Sequence, residues 1–176
     1  GMLAGLWLAP FGAEFTSKAP TQHHDWLIRK KHGHPVTCGI NWGGFYALDI
    51  EVPEVKNYIK HFFDVILNDW GFDLVKLDFL YAAAIIPNHG KSRGQLMCEA
   101  MDFLRKCVGE KMILGCGVPL MPAFGKVDYC RIGADMGLRW KVPFFSNREF
   151  ISTYHTPGNS LFRRPFDARA FLNDPD

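Results

Sequence analysis

Between Pro53 and Asp78 the sequence changes period, and this change limits the fold more than any other feature. Val55, Tyr58, Ile59, Phe62, Phe63, Ile66 and Trp70 recur at three- and four-residue spacing, which predicts a helix over Pro53–Trp70 with one buried face. Pro53 suits a first helical turn and Gly71 suits the stop. Leu74–Asp78 then reads at once as a strand.

The same alternation continues. Ser92–Val108 predicts a second helix burying Leu96, Met97, Ala100, Met101, Leu104, Cys107 and Val108, followed by strands at Met112–Cys116 and Tyr129–Ile132. Leu3–Leu8, Phe45–Ile50 and Ala170–Leu172 read as further strands. Ala13–Gly44 reads as a long loop region with a helical turn near Trp26–Lys31, and Phe145–Tyr154 as helical. Strands alternating with long helices imply parallel β-α-β units, hence an α/β fold. No Gly-rich phosphate loop, internal repeat or linker interrupts the pattern, so one domain, or part of one, is expected.

Composition narrows the function classes. With 48% hydrophobic and 14% aromatic residues the chain can bury a core, and a formal charge of +2 gives no reason to expect nucleic acid. No run approaches the ~20 apolar residues of a membrane helix. The amino terminus lacks the basic flank and cleavage pattern of a signal peptide, and Gly1 before Met2 reads as a tag remnant. Five dispersed cysteines without a C-x-x-C pair suggest neither a zinc site nor a disulfide framework. Free thiols in a reducing, cytoplasmic compartment are the simpler expectation.

In parallel α/β proteins functional groups collect at the carboxyl ends of strands. Asp49, Asp78, Cys116, Asp135 and the closing Asn-Asp-Pro-Asp stand there, with no matching set of histidines. That favours carboxylate chemistry. In Val75-Lys76-Leu77-Asp78-Phe79, strand alternation puts Lys76 and Asp78 on one side and Val75, Leu77 and Phe79 on the other. A lysine paired with a carboxylate keeps it ionised, as a nucleophile requires; a salt bridge closing a barrel is the structural alternative. In Arg131-Ile132-Gly133-Ala134-Asp135, Gly133 lets the chain leave its strand and Asp135 follows. Taken alone it is a turn residue, but beside Asp78 it completes the two carboxylates that a glycosidase needs.

The runs GLWLAPF (5–11), YALDIEVPEV (46–55), WGFDLVKLDFLYA (70–82), GCGVPL (115–120), CRIGADM (130–136) and FLNDPD (171–176) together resemble glycoside hydrolase family thirty-six, the α-galactosidases or melibiases. The resemblance covers nearly the whole chain. It implies an α/β (β/α)8 TIM barrel, present as an incomplete barrel of about strands two to seven, since a whole one takes ~250 residues. Residues 1–176 would then be a partial catalytic domain of a larger glycosidase. The implied activity is retaining hydrolysis of an α-galactoside oligosaccharide or related glycan, with no cofactor and no metal. By position, Asp78 is the implied nucleophile and Asp135 the acid/base. Lys76, Arg131, Cys116, Gly117, Asp49 and Trp7 are the implied substrate contacts. Many members read K-W-D-x-N and S-D where this chain has KLDFLY and RIGAD, which sets it on a separate branch. A transglycosylase of the same fold and a noncatalytic carbohydrate-binding remnant are the alternatives.

Other features carry less. His23-His24-Asp25 and His32-Gly33-His34 lie in a predicted loop with no element to fix metal-ligand geometry. A Schiff base at Lys76 conflicts with an ion pair to Asp78. Trp42, Tyr81 and Trp140 are candidate stacking platforms or core, while Lys56, Lys60 and His61 mark a solvated helix face. Apolar surface left by missing strands would favour self-association.

Overall fold

In the computed structural model, residues 1–135 and 147–175 are described, apart from the side chains of Trp42 and residues 147–153. In chain order the elements are β1 (Gly5–Leu8), β2 (Gly12–Glu14), α1 (Lys18–Gln22), β3 (Thr37–Gly39), β4 (Phe45–Ala47), α2 (Pro53–Asp64), β5 (Leu74–Leu77) and α3 (Arg93–Val108). There follow β6 (Met112–Gly115), α4 (Leu120–Ala123), β7 (Tyr129–Arg131), α5 (Asn147–Arg163) and β8 (Leu172–Asp174). Five strands form one parallel sheet in the order β1-β5-β6-β7-β8, and β2-β4-β3 form a small antiparallel sheet.

Phe45–Ile50 is therefore not a strand of the parallel sheet. A parallel neighbour needs a long crossover, and the long helix of this region, α2, comes after β4 rather than before it. Between β1 and β4 the only α-helix is the five-residue α1, so β4 pairs antiparallel with β2 and β3 while β1 runs beside β5. Among the described residues the parallel strands thus number five, not six. The expected loop Ala13–Gly44 contains β3, α1 and the end of β2. The expected turn at Trp26–Lys31 lies earlier, as a single 3-10 turn at His24–Trp26, because Leu27 and Arg29 are taken up in bridges to Leu48 and Pro35.

Local chemistry explains the two main helices. Val55, Ile59 and Phe63 form the buried stripe of α2, and one wider turn over Val65–Asp69 buries Ile66 and Leu67 before Gly71 ends it at φ +73°. Helix α3 opens on a reciprocal cap: Gln95 N–H donates to Ser92 Oγ at 3.3 Å and Ser92 N–H donates to Gln95 Oε1 at 2.9 Å. The expected last strand, Ala170–Leu172, is displaced to Leu172–Asp174, in register with Tyr129–Arg131. Helix α5 includes part of the expected Phe145–Tyr154 helix; its first residues, like Trp140, lie outside the described residues.

The core fills the space between the parallel sheet and its helices. Val75, Leu77, Ile113 and Cys130 are fully buried, as are Ile59, Phe63, Met101 and Leu104. At the amino ends of the strands, Arg105 pairs with Asp128 at 2.8 Å, Asp128 accepts from Ile113 N–H at 2.8 Å, and Lys111 pairs with Asp73 at 2.6 Å. Ionic groups lock that end of the sheet, which leaves the carboxyl ends for chemistry.

Candidate active site

Trp7 and Lys76 are register partners on β1 and β5 and so share a side of the sheet. Asp78 follows directly, with its N–H donating to Leu8 O at 2.8 Å and Cys116 N–H donating to Leu77 O at 2.8 Å. The alternation expected for Lys76 and Asp78 holds along β5, where Val75 and Leu77 are buried and Lys76 is half-buried. It breaks at Phe79. That residue adopts φ +52°, an uncommon conformation for an aromatic. Its ring meets Trp7 at 6.4 Å, Phe45 at 5.1 Å and Tyr81 at 6.2 Å between centroids, instead of joining Val75 and Leu77.

This turn shapes the Asp78 carboxylate. Phe79 N–H donates to Oδ1 at 2.7 Å and Trp7 Nε1 donates to Oδ2 at 3.1 Å. The Cys116 thiol stands beside the same carboxylate, which helps to hold its proton. Lys76 takes part in no ion pair among the described residues, so the expected Lys76–Asp78 pair is not formed. The indole and the backbone orient Asp78, and the thiol and Lys76 stand beside them.

Cys116 is 4% exposed, and burial pushes its thiol up to about 11, reinforced by Asp78 and opposed by Arg131. The thiol therefore stays protonated near neutrality. It receives a hydrogen bond from Arg131 Nη1 at 3.2 Å. The Arg131 side chain, 7% exposed, also pairs through Nη2 with Asp135, whose side chain is 86% exposed. Side-chain contacts thus run unbroken from Trp7 through Asp78, Cys116 and Arg131 to Asp135, across the ends of β1, β5, β6 and β7.

Gly117 continues from Cys116 at φ +66°, and a Cβ there would lie 3.3 Å from both Phe79 Cα and Phe79 N. A side chain there would be strained, by the positive φ and by the close approach to the turn behind Asp78. Gly117, Pro119, Arg131, Gly133, Asn159 and Arg163 border a cleft of about 420 Å³. Asp49 lies apart from this line: 8% exposed, it accepts from Asn88 Nδ2 at 3.2 Å and from Glu51 N–H at 3.0 Å, and bonds His89 Nε2 at 2.8 Å. His23 stacks on Trp26 at 4.1 Å.

Sequence reasoning missed Phe45, Phe79, Asn159 and Arg163. An aromatic in a left-handed turn leaves no mark in the sequence, and Phe45 reads as core. Asn159 and Arg163 share a helix face at i, i+4, a spacing too common to single them out.

No family profile matches the sequence. Among solved structures, the chain is similar to TtGalA, an α-galactosidase from Thermus thermophilus in complex with p-nitrophenyl α-D-galactopyranoside. The match has 33% identity and a TM-score of 0.80, over 99% of this chain and 36% of that one. The same enzyme in complex with stachyose matches at 33% identity and a TM-score of 0.81, over 100% of this chain and 39% of that one. An α-amylase from Lactobacillus plantarum shares the fold at 14% identity and a TM-score of 0.56, over 98% of this chain and 41% of that one. The chain therefore spans about two fifths or less of the length of these proteins.

Proposed function

We propose that this chain, similar over nearly its whole length to part of an α-galactosidase, belongs to a protein that hydrolyses α-galactosides with retention, through a covalent glycosyl–enzyme. The observation that carries the reading is the line of contacts joining Asp78 to Asp135 through Cys116 and Arg131. Asp135 gives its proton to the glycosidic oxygen while an Asp78 oxygen bonds the anomeric carbon, and the aglycone leaves as an alcohol. Water then attacks the same carbon, Asp135 takes its proton, and Asp78 departs with its bonding pair. Two inversions give net retention.

Lys76, Arg131, Cys116 and Gly117 are assigned to sugar contacts at the strand ends, and Trp7 to the pocket wall. Asp49 is assigned an indirect part, through the Asn88–His89 loop that it braces. The five parallel strands are read as neighbouring strands of a (β/α)8 barrel. Trp7 and Leu172, on the two edge strands, are each 44% exposed, which supports an open barrel face. That face also favours self-association of this chain alone; a monomeric sedimentation profile would exclude it.

The test is hydrolysis of an aryl α-galactoside by the full-length protein and its Asp78→Asn variant, with the first-formed anomer read by proton NMR. Release of the α-anomer by the parent, abolished in the variant, is expected. The β-anomer as first product overturns retention. Activity unchanged in Asp78→Asn overturns the nucleophile.

A further inference from the structure

The cleft of about 420 Å³ beside Arg131 adjoins the surroundings of both proposed carboxylates. Gly117, on its wall, packs against the turn behind Asp78, a Cβ there standing 3.3 Å from Phe79 N. Ala134, also on its wall, directly precedes Asp135. Arg131 lies between them, donating through Nη1 to the Cys116 thiol and pairing through Nη2 with Asp135. A leaving group that takes its proton from Asp135 has this cleft beside it.

The two cations of the cleft are not equivalent. Arg131 is matched, since it pairs with Asp135 and has Asp174 as its register partner on β8. Arg163, half-buried at the end of α5, forms no ion pair among the described residues. No carboxylate side chain is among the described residues that line the cleft. Asn159 stands one turn before Arg163 on the same helix face, its Nδ2 lying 3.4 Å from where a Cβ on Gly133 would be. Asn173 Nδ2 donates to Arg163 O at 3.1 Å and ties this end of the helix to β8. A half-buried guanidinium without a counter-charge favours an anion, and its planar fork fits a carboxylate or phosphate through two parallel hydrogen bonds. A neutral hydroxyl can take one of those bonds but leaves the charge unmatched.

We propose that Arg163, with Asn159, forms a subsite for an anionic group on the aglycone, so that the protein binds α-galactosides carrying a carboxylate or phosphate there more tightly than their neutral counterparts. The proposal rests on the glycosidase reading above and adds the class of substrate.

The test uses the full-length protein and two ligands that resist hydrolysis, para-carboxyphenyl α-thiogalactoside and its neutral para-carbamoyl counterpart. Both are titrated calorimetrically, at low and high salt, into the parent, Arg163→Gln and Arg163→Lys. The expected result is roughly tenfold tighter binding of the carboxylate by the parent, shrinking at high salt, abolished in Arg163→Gln and partly kept in Arg163→Lys. Asn159→Asp sets a carboxylate one turn from Arg163 and is expected to erase the preference while leaving the arginine in place. Equal affinities in the parent, or a preference that survives Arg163→Gln or Asn159→Asp, overturns the subsite. A lower unfolding midpoint in Arg163→Gln with the preference intact also overturns it, because Arg163 then serves only the carboxyl end of α5. Inorganic phosphate titrated alone separates a free anion from one carried by the substrate. Phosphate bound by the parent and not by Arg163→Gln, with the two galactosides equal, marks a free-anion site and overturns the proposal. Turnover of α-galactosyl fluoride by the parent is measured alongside: its absence sinks the glycosidase reading itself, whereas turnover without the preference sinks the subsite alone.

Discussion

Asp78 and Asp135 follow strands β5 and β7 of one sheet, yet their surroundings differ in kind. Asp78 accepts from an indole and a backbone N–H and stands beside a buried thiol. Asp135 is largely exposed and, among the described residues, is held by Arg131. A nucleophile must meet the anomeric carbon along one line, so a fixed carboxylate serves it. An acid/base must reach the leaving oxygen in one step and water in the next, and a carboxylate on a looser tether suits both.

This contrast predicts different failures. If Asp78 is the nucleophile as proposed, Asp78→Asn should lower kcat by about 10⁴-fold or more on every α-galactoside, because the amide cannot form the glycosyl ester. Asp135→Asn should cost roughly 10²–10⁴-fold on substrates with poor leaving groups and far less on activated aryl ones, which need no proton. Parallel rate measurements over aryl galactosides of graded leaving-group acidity check both. If the two variants lose the same factor on every substrate, the division of roles is wrong.

The joint between the two carboxylates comes next in size. Cys116→Ala removes the partner shared by Asp78 and Arg131 and should lower kcat by about 10–100-fold. Cys116→Ser, which keeps a donor and an acceptor, should restore much of it. If serine is no better than alanine, the thiol is only filling space.

The two proposed carboxylates could be picked from the sequence because Asp78 directly follows β5 and Asp135 stands four residues past β7, strands whose apolar pattern is plain, and Lys76 gave the side of the sheet. What joins them was not. The sequence resemblance had pointed to Cys116 as a substrate contact, and only the fold shows that it touches Asp78 and Arg131 together. The ion pair expected between Lys76 and Asp78 failed for a related reason. Alternation places two side chains on one face but does not say where a long lysine ends, and the indole of Trp7, seventy-one residues away in sequence, holds Asp78 instead. The strand Phe45–Ala47 was legible but its sheet was not, because the pairing partner depends on where the crossover helix lies.

Stability should separate the buried groups from the reacting ones. Asp49→Ala removes an acceptor shared by Asn88 Nδ2 and the Glu51 N–H and should cost about 1–3 kcal/mol. Urea unfolding measures this, and a KM rise beyond tenfold in the folded variant would instead place Asp49 on the sugar. Alkali should act on the thiols. Burial raises Cys38 and Cys130 to about 12 and Cys107 and Cys116 to about 11 from an ordinary value of 9.0. The folded state therefore holds these protons more tightly than the unfolded chain. Their contribution is whole below pH 9 and is lost as pH climbs toward 11 to 12. Urea midpoints at neutral and alkaline pH should show that fall, reduced in Cys130→Ala; an equal fall in the variant excludes Cys130 as a source.

The smallest effect belongs to Trp7, and it tests the contrast most finely. Trp7→Phe keeps an aromatic wall but deletes the Nε1–H that reaches Asp78 Oδ2 at 3.1 Å. The Phe79 N–H remains on the carboxylate, with the Cys116 thiol beside it. The lost bond should therefore cost about 1 kcal/mol, or roughly fivefold in kcat/KM. Combined with Cys116→Ala, the loss should exceed the product of the single effects, because the second deletion leaves only the backbone to aim the carboxylate. Strict multiplicativity in that double-mutant cycle would mean that each donor acts alone and that Asp78 is no more constrained than Asp135.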